Sequence, residues 1–289
     1  MEKVILNIDK EGPSQKKIDD KKPLVSVITV VLNSPLFLEE TIKSVINQSY
    51  DNVEYIIIDG NSTDNTINVI RKYENSISYW ISEKDSGMYD ALSKGFLLTN
   101  GELICYLNAG DLLFPKAIES AVQFFNETNT KWFTGLRSIC NQKGISAGVD
   151  LPYQYKKNLI LKGVYGRNLP FIQQESTIWH KDLMPLVDID FLKNLKLAGD
   201  YYLWTCFSKK ENLNIINTLI GTFRKHEGQL SENISKYWKE VSTFTKKNNV
   251  TTYPAIFFEL CMWAVHPRIR TIFKKTVWHL NFANGVWEK

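Results

Sequence analysis

Side chains that could bind a cation or a nucleotide follow the ends of several apolar runs. In doubly wound sheets ligands bind beyond the carboxyl ends of the strands, so such positions are expected to share one edge of a sheet. One further acid lies in the loop before a helical segment. These positions are Asn33, Asp59, Asp85 and the run Asn108, Ala109, Gly110 and Asp111.

Acids that converge on one sheet edge predict a divalent cation. Mg²⁺ or Mn²⁺ needs few carboxylates when phosphate oxygens complete its coordination shell, and Asp111 fits this role. The ion would offset charge that builds up on a departing nucleoside diphosphate. Lys94, one or two turns into its helix, is placed to add a cationic contact to the phosphates.

Alternating strands and helices must position these loops. Apolar or β-branched runs bounded by turn residues predict buried strands over residues 24–32, 53–58 and 103–107, with a short strand at 77–81. Helical periodicity follows at residues 36–48, 63–73 and 89–99. This alternation predicts an α/β fold with a mainly parallel sheet flanked by helices.

The pattern is looser beyond Asp111. A helix is predicted over residues 115–125, while residues 131–149 form either a hairpin or a loop. Further helices are predicted at 199–209 and at 231–247, the latter with Ile234, Trp238 and Val241 as its apolar positions.

Composition excludes several classes of protein. The 289 residues are 44% hydrophobic and 23% charged, as in a globular protein that buries a sizeable core. A net charge of +4 gives no strong field for nucleic acid. The four cysteines form neither a zinc pair nor a disulfide framework, and no apolar run reaches the length of a signal peptide or a spanning helix. We therefore expect a cytoplasmic protein.

Four ordered motifs resemble family 2 glycosyltransferases of the GT-A fold. They are SVITVVLN, IIIDGNSTDNT, EKDSGMYDALSKG and GELICYLNAGDLLF, and they cover about residues 25–114. Four motifs with compatible spacing are far more specific than one alone. The resemblance implies a GT-A-type, Rossmann-like sheet and inverting transfer of a hexose or N-acetylhexosamine from a UDP-sugar, with Mn²⁺ or Mg²⁺, in bacterial surface polysaccharide assembly such as O-antigen or capsule synthesis.

The resemblance also implies roles on the donor side. Asp59 would face the uracil or ribose, Asp85 would approach the nucleoside, and Asp111 would hold the metal. The base pocket would be lined by Val30, Leu32 and Asn33. Asn108, Ala109 and Gly110 complete the predicted donor site, although carboxylates often occupy the positions of Asn108 and Gly110 in the family.

Acceptor-side motifs are recognised farther along. The resemblance implies that Asp200 is the general base, which takes the proton of the acceptor hydroxyl during inverting transfer. Gly199 stands where the family often has an acid. The predicted sugar contacts are Gln173, Gln174, Glu175, Gly199 and Trp204. In the closing segment, Arg224 and Lys225 would pair with phosphate, and His226 would ligate the metal.

The resemblance divides the chain into three parts. A polar lead spans residues 1–22, and a GT-A domain spans 23–230, with a nucleotide-binding half at 23–114 and an acceptor half at 115–230. The remaining residues, 231–289, form a helical extension rich in basic and aromatic side chains. This extension would contact an anionic membrane on its cytoplasmic face, where lipid-linked saccharide acceptors lie, or would pack on the protein or on a second subunit as a homodimer.

Each assignment has a structural alternative. The residues near Asp59 and Asp111 also suit ordinary turns, Asp200 suits a helix N-terminus, and His226 and Lys94 suit a solvated surface. Trp204 also suits the core. At the level of function, the alternative is a degenerate module that binds a nucleotide or glycan without turnover. A nucleotidyltransferase would need a Gly-rich basic loop near the first strand, which is absent from the sequence.

Overall fold

The computed structural model describes residues 22–229, 232–250, 252–267, 269–270, 276–281 and 283–289. Residues 1–21 of the predicted polar lead lie outside the described residues.

The first half of the chain alternates strands and helices as predicted, with ends that differ by a few residues. The later start of the second helix has a local cause, since Asp64 Oδ1 accepts hydrogen bonds from the backbone N–H of Thr66 at 2.9 Å and from its hydroxyl at 2.5 Å. The elements are β1 (Val25–Val31), α1 (Pro35–Ile46), β2 (Val53–Asp59), α2 (Thr66–Lys72), β3 (Tyr79–Ser82), α3 (Met88–Leu98) and β4 (Leu103–Asn108).

The second half is more irregular. The segment that the sequence left open, residues 131–149, forms one short strand and a hairpin of two more. The elements are β5 (Leu112–Leu113), α4 (Ala117–Thr128), β6 (Trp132–Thr134), β7 (Arg137–Cys140), β8 (Ser146–Asp150), α5 (Lys157–Ile160), β9 (Thr177–His180), α6 (Ile189–Leu192), α7 (Gly199–Phe207), β10 (Asn214–Ile216) and β11 (Gly221–Arg224).

The C-terminal extension is helical over α8 (Ile234–Phe244) and α9 (Thr252–Ala264). The expectation that it is helical throughout is wrong for its end, where β12 (Val277–Asn281) and β13 (Val286–Glu288) form an antiparallel hairpin. A tight turn at Gly285, with a φ of 70°, joins the two strands. β12 pairs with β10, so the extension adds two strands to the main sheet.

Nine strands form the main sheet, in the order β13-β12-β10-β6-β9-β4-β1-β2-β3. β1 lies between two parallel neighbours, with Val31 opposite Asp59 of β2 and Val30 opposite Asn108 of β4. The carboxyl ends of these three strands therefore lie at one edge, as the sequence predicted. A smaller sheet has the order β5-β11-β7-β8 and follows the loop after β4.

Apolar layers cover both faces of the main sheet because alternate residues of each strand point to opposite sides. In β1, Ile28 packs in the layer that contains Trp204, whereas Val27 packs in the layer that contains Leu38 of α1. Among the described residues, no helix combines the length and the apolar character needed to span a bilayer.

Candidate active site

The loop after β2 is built around Asp59. This residue is 0% exposed, and its Oδ2 accepts hydrogen bonds from Ser62 N at 2.9 Å and from Ser82 Oγ at 2.6 Å. Its Oδ1 accepts from Ser62 Oγ at 2.5 Å. Both carboxylate oxygens thus hold the loop, and a role for Asp59 at the uracil or ribose stays a prediction.

Asn33 joins this loop to the loop after β1. Its backbone N–H donates to Ser62 Oγ at 2.7 Å, and its Oδ1 accepts from Thr63 N at 2.9 Å. Its φ of 50° lies in the left-handed region, which asparagine tolerates better than most residues. Of the other residues predicted to line the base pocket, Leu32 is 57% exposed, whereas the side chain of Val30 packs in the core.

Asp85 approaches the β2 loop from the segment before α3. A Cβ on Gly60 would lie 2.6 Å from Asp85 Oδ2, so the glycine is what allows this close approach. Asp85 Oδ1 accepts from Gly87 N at 2.9 Å, and burial raises the pKa of Asp85. The structure therefore brings together the two acids that were predicted to face the nucleoside.

Two lysines were predicted to contact phosphate. Lys94 Nζ lies 2.8 Å from Glu83 Oε1, in the same loop as Asp85, so it is paired rather than merely solvated. Lys225 is exposed, and its backbone N–H donates to Cys140 O at 2.9 Å. Their contacts with phosphate stay predictions.

Asp111 lies at the predicted metal loop and is 3% exposed. Its Oδ1 accepts from the backbone N–H of Arg224 at 3.1 Å, and its Oδ2 lies 3.4 Å from Asn108 Nδ2. Burial raises the pKa of Asp111. Gly110 has a φ of 121°, a conformation that strains residues with a side chain, so a carboxylate at this position would require a different backbone.

The rest of this loop is tied to the sheet and to α1. Ala109 N donates to Val30 O at 3.2 Å, which continues the pairing of β1 with β4. The hydroxyl of Thr41 lies 2.9 Å from the carbonyl oxygen of Asp111 and accepts from Gly110 N at 2.8 Å. The loop is therefore held by contacts within the protein.

Arg224 was predicted to bind phosphate, and its placement does not support this. The residue is 0% exposed, and its Nε and Nη1 donate to the carbonyls of Gly110 and Gln142 at 2.8 and 2.7 Å. Its Nη2 pairs with Glu40, and the guanidinium lies over the ring of Phe37. All three guanidinium nitrogens are thus engaged, and the residue acts as a brace behind the Asp111 loop.

Gln173 and Gln174 were predicted to contact sugar, and both are buried beneath the Asp111 loop. Gln174 Nε2 donates to the carbonyl of Tyr106, while its Oε1 accepts from Asn108 Nδ2 at 3.2 Å. Gln173 pairs with the backbone of Ser138 through both of its amide atoms, at 2.7 and 3.1 Å. The two side-chain amides therefore form hydrogen bonds with the protein beneath the Asp111 loop.

Glu175 is the buried acid of the acceptor-side motif. It is 3% exposed, and burial, with the nearby carboxylates of Asp111 and Asp200, raises its pKa well above the usual range. Within the described residues, neither Glu175 Oε1 nor Asn108 Oδ1 has a hydrogen-bond partner. Buried oxygens of this kind normally find a partner, so they suit the hydroxyls of a bound sugar.

Asp200 lies in the first turn of α7, where its carboxylate is held by two tyrosine hydroxyls. Tyr237 Oη lies 3.1 Å from Oδ1 and 3.3 Å from Oδ2, and Tyr89 Oη lies 3.4 Å from Oδ1. Burial raises the pKa of Asp200 to about 6, against the lowering effect of these bonds. A carboxylate with this pKa is ionised at neutral pH and is a competent general base.

Gly199 precedes this acid for a steric reason. A Cβ on Gly199 would lie 2.3 Å from the ring of Tyr89, which is 2% exposed. The ring of Tyr89 therefore occupies the space that a side chain at position 199 would need. An acid at this position would therefore require the ring of Tyr89 or α7 to move.

Sequence reasoning missed both tyrosines. Tyr89 begins a predicted helix, while Tyr237 lies in α8 of the extension, far from any motif. The apolar stripe expected for α8 included Ile234, but the structure leaves Ile234 45% exposed and buries Tyr237 with Val241 instead. The i, i+4 spacing of Tyr237 and Val241 was the available signal.

Trp204 and His226 lie in different surroundings. Trp204 is buried in the core, stacked on Trp132 with ring centroids 5.8 Å apart, so the predicted sugar contact is wrong and the core alternative holds. The His226 ring packs against Phe37, and its Nδ1 lies 2.8 Å from the carbonyl of Glu227. If Nδ1 carries the proton to that carbonyl, Nε2 is the nitrogen with a free lone pair. In the part of the chain that the structure describes, no three His, Cys, Asp or Glu side chains group to hold a metal ion.

Known proteins resemble this chain in sequence and in fold. An uncharacterised glycosyltransferase of Haemophilus influenzae is 27% identical over 244 residues, which cover 80% of this chain and 74% of the relative. The Escherichia coli UDP-Glc:alpha-D-GlcNAc-diphosphoundecaprenol beta-1,3-glucosyltransferase WfgD is 24% identical over 77% of this chain and 87% of its own length. The crystal structure of S. aureus TarS 1–349 with UDP-GlcNAc aligns with a TM-score of 0.60 at 15% identity, covering 86% of this chain and 69% of that one.

The TarS alignment supports the GT-A fold predicted from the motifs. The family model described as "Glycosyl transferase family 2" matches residues 26–183, which include the loops that carry Asn33, Asp59 and Asp85 (the nucleoside loops, after their predicted role), the Asp111 loop and Glu175. Since this match covers more than half of the chain, the protein belongs to glycosyl transferase family 2 and is a nucleotide-sugar-dependent glycosyltransferase.

Proposed function

We propose that the protein transfers a hexose or N-acetylhexosamine from a UDP-sugar to a hydroxyl of a glycan or lipid-linked saccharide, with inversion, and that Asp200 is the general base. The observation that carries this proposal is the Asp200 carboxylate, with its pKa raised to about 6 and two tyrosine hydroxyls beside it. The names of WfgD and of the TarS complex, which specify UDP-glucose and UDP-GlcNAc, support the choice of a UDP-sugar.

The proposed transfer is a single displacement. Asp200 accepts the proton of the acceptor hydroxyl while the hydroxyl oxygen forms a bond to the anomeric carbon. The bond from that carbon to the diphosphate breaks at the opposite face, and UDP leaves with the bonding electron pair. A pKa near 6 keeps Asp200 ionised at neutral pH and makes it more basic than an ordinary carboxylate, so both requirements of a base are met.

On the donor side, Asp59 and Asp85 flank Gly60, where we place the nucleoside. Asn33 and Leu32 would contact its uracil base. Lys94 and exposed Lys225 are the proposed phosphate contacts. Asn108 Oδ1 and Glu175 Oε1 would accept hydrogen bonds from sugar hydroxyls. This last assignment would satisfy two buried oxygens that lack partners within the described residues.

Glycosyltransferases of this family commonly use a divalent metal. The residues present fit a site that the substrate completes, because Asp111 offers one buried carboxylate and a diphosphate can provide further oxygens. His226 is the additional proposed ligand, through Nε2. Bound Mn²⁺ or Mg²⁺ would supply Lewis-acid stabilisation of the departing diphosphate.

The proposed setting is bacterial surface polysaccharide synthesis at the inner face of the cytoplasmic membrane. The names of relatives such as WfgD, which acts on a lipid-linked diphosphate, support it. The α9 helix leaves Tyr253, Phe257 and Phe258 exposed at 63%, 69% and 54%, a surface that suits a lipid headgroup region or a second subunit.

Asp200→Asn tests the proposed base. Asparagine keeps the shape of the side chain but cannot take the proton, so kcat should fall by about 10²-fold or more. UDP release from UDP-glucose and UDP-GlcNAc, with an α-GlcNAc diphospholipid as acceptor, measures turnover, and calorimetry with UDP measures binding, which should be retained. Asp190→Asn, an exposed acid paired with Lys193, is the matched control and should keep the wild-type rate.

A full transfer rate in Asp200→Asn would show that another group is the base. The alternative of a degenerate binding module, which the single carboxylate of the Asp111 loop favours, makes a different prediction. Wild-type protein would then bind UDP but release none from either donor.

A further inference from the structure

Helix α8 contributes a hydroxyl to the Asp200 carboxylate. Tyr237 is 9% exposed, and its Oη lies 3.1 and 3.3 Å from the two carboxylate oxygens. Its ring is fixed by Phe171 and Trp238, with centroids 5.9 and 5.0 Å away. The competing hydroxyl of Tyr89 lies closer to the carbonyl of Leu197, at 3.1 Å, than to Asp200. Tyr237 is therefore the stronger donor to the carboxylate.

One helical turn away, Glu240 holds the backbone that leads into α7. Its Oε1 accepts from Lys196 N at 2.8 Å, and its Oε2 accepts from Leu197 N and Ala198 N, both at 2.7 Å. Hydrogen bonds from amides to a carboxylate are short and charge-assisted, so three of them fix this backbone firmly. Tyr237 and Glu240, three residues apart, share one face of α8 and hold both Asp200 and the residues before it.

This backbone also contacts the donor side. Lys196 Nζ donates to the carbonyl of Ser86 at 2.6 Å, in the loop that carries Asp85. Movement of residues 196–198 would therefore change both the position of Asp200 and its distance from the donor loop.

We propose that Tyr237 and Glu240 are positioning residues for proton transfer, so that α8, which lies outside the family motifs, is part of the catalytic machinery. This inference rests on the proposed role of Asp200 as the base. Tyr237 aims the carboxylate and stabilises its ionised form, and Glu240 fixes the backbone at the start of α7.

The groups around Asp200 allow a prediction of its titration. Burial keeps the pKa of Tyr237 far above neutral, so its hydroxyl stays a donor, and burial with nearby acids raises the pKa of Glu175 well above its usual range. Loss of the Tyr237 hydroxyl removes a stabilising bond to the ionised carboxylate, so the pKa of Asp200 should rise. Among the described residues, the titratable groups that interact with Asp200 are Tyr89 of α3, Tyr106 of β4, Glu175, Tyr201 of α7 and Tyr237 of α8.

Tyr237→Phe tests the first contact. The acid limb of the kcat/KM profile should move to higher pH by about one pH unit, since one hydrogen bond to a charged group is lost. The plateau of kcat should fall several-fold, while the Kd for UDP stays at the wild-type value. Tyr79→Phe, at a half-buried position of the edge strand β3, is the matched control and should leave the profile unchanged.

Glu240→Gln tests the second contact. The amide keeps one acceptor oxygen and loses the charge, so kcat should fall by about threefold to tenfold with little change in KM for the UDP-sugar. Glu240→Ala removes every acceptor and should cost more than Glu240→Gln. Glu232→Gln, at an exposed site before α8, should behave as wild type.

The outcomes separate this inference from the proposed function. If Asp200→Asn is inactive but Tyr237→Phe keeps the wild-type acid limb and plateau, the positioning role is wrong while the base assignment survives. If Asp200→Asn keeps its rate or the wild-type protein has no turnover, the proposed function fails. Infrared titration of the Asp200 carboxylate, identified by its loss in Asp200→Asn, then tests the Tyr237 contact alone. An equal carboxylate pKa in wild type and Tyr237→Phe would overturn it.

Discussion

The nucleoside loops and the Asp200 segment are held in place by different kinds of contact. In the nucleoside loops, Asp59 accepts hydrogen bonds from Ser62, three residues away, and from Ser82 at the end of β3, and the hydroxyl of Ser62 also accepts from Asn33 N of the adjacent loop. The Asp200 segment instead depends on Tyr89 of α3 and Tyr237 of α8, which are far away in sequence. The loops proposed to bind the donor are thus held by short side chains at neighbouring strand ends, whereas the proposed base is held by residues of two distant helices.

This difference between the two regions has a physical reason. The sheet itself brings together the loops that follow adjacent parallel strands. Short side chains can therefore form hydrogen bonds from one loop to the next. Asp200, the proposed base, lies on a helix beyond the parallel strands, where no strand register fixes it. Packing by α3 and α8 fills that role, and substitutions in the two regions should therefore have different consequences.

The largest effect on activity is expected at the Asp111 loop. There, Thr41 forms a hydrogen bond with the carbonyl of Asp111, and Arg224 N donates one to its carboxylate. Asp111→Asn keeps the volume and removes the charge, so kcat/KM should fall by about 10²-fold or more if this carboxylate holds the cation. Chelation of the wild-type protein should abolish turnover, and added Mn²⁺ should restore it and tighten UDP binding. Asp190→Asn serves again as the control.

If turnover survives chelation, Asp111 does not hold a metal ion that the reaction needs. A loss in Asp111→Asn without any metal dependence would instead assign the residue to the architecture of the loop. UDP calorimetry with and without Mn²⁺ distinguishes these results.

A smaller effect is expected from Gly199→Ala, which tests how the base is held. The new methyl would lie 2.3 Å from the buried ring of Tyr89, so either the ring or α7 must move. Overpacking of this kind costs about 1–3 kcal/mol in the free energy of unfolding, and displacement of Asp200 should lower kcat as well. Gly148→Ala, where the methyl would meet nothing within 4 Å, should be close to neutral in denaturant unfolding and in rate. Equal stability of the two variants would contradict the packing argument.

The sequence predicted the donor half well because its signals are local. Runs such as residues 53–58 specify a buried strand by composition, and Asp59 with Ser62 specifies a turn within a few residues. The parallel sheet then requires Asn33, Asp59 and Asn108 to meet at one edge. Their convergence follows from topology, without knowledge of any distant contact.

The base region could not be predicted in the same way. The contacts of Tyr237 and Glu240 with residues 196–200 join segments about forty residues apart, and no periodicity reveals such pairing. The position of Arg224 could not be predicted for a related reason. An arginine that binds phosphate and a buried arginine that supports a loop look alike in sequence. The strands β12 and β13 were missed since β10, the strand with which β12 pairs, is only three residues long and gives a weak pattern.

The smallest effect is expected from Gly60→Ala, the donor-side counterpart of Gly199→Ala. The new methyl would lie 2.6 Å from Asp85 Oδ2, which is nearly as close, but here the contact is the end of a partly exposed side chain. Asp85 can turn away at little cost in stability, so the change in unfolding free energy should stay below about 1 kcal/mol. The shifted carboxylate should instead raise KM for the UDP-sugar several-fold with little change in kcat. A larger loss of stability than in Gly199→Ala would show that the donor loops, too, depend on close packing, and the contrast between the two regions would fail.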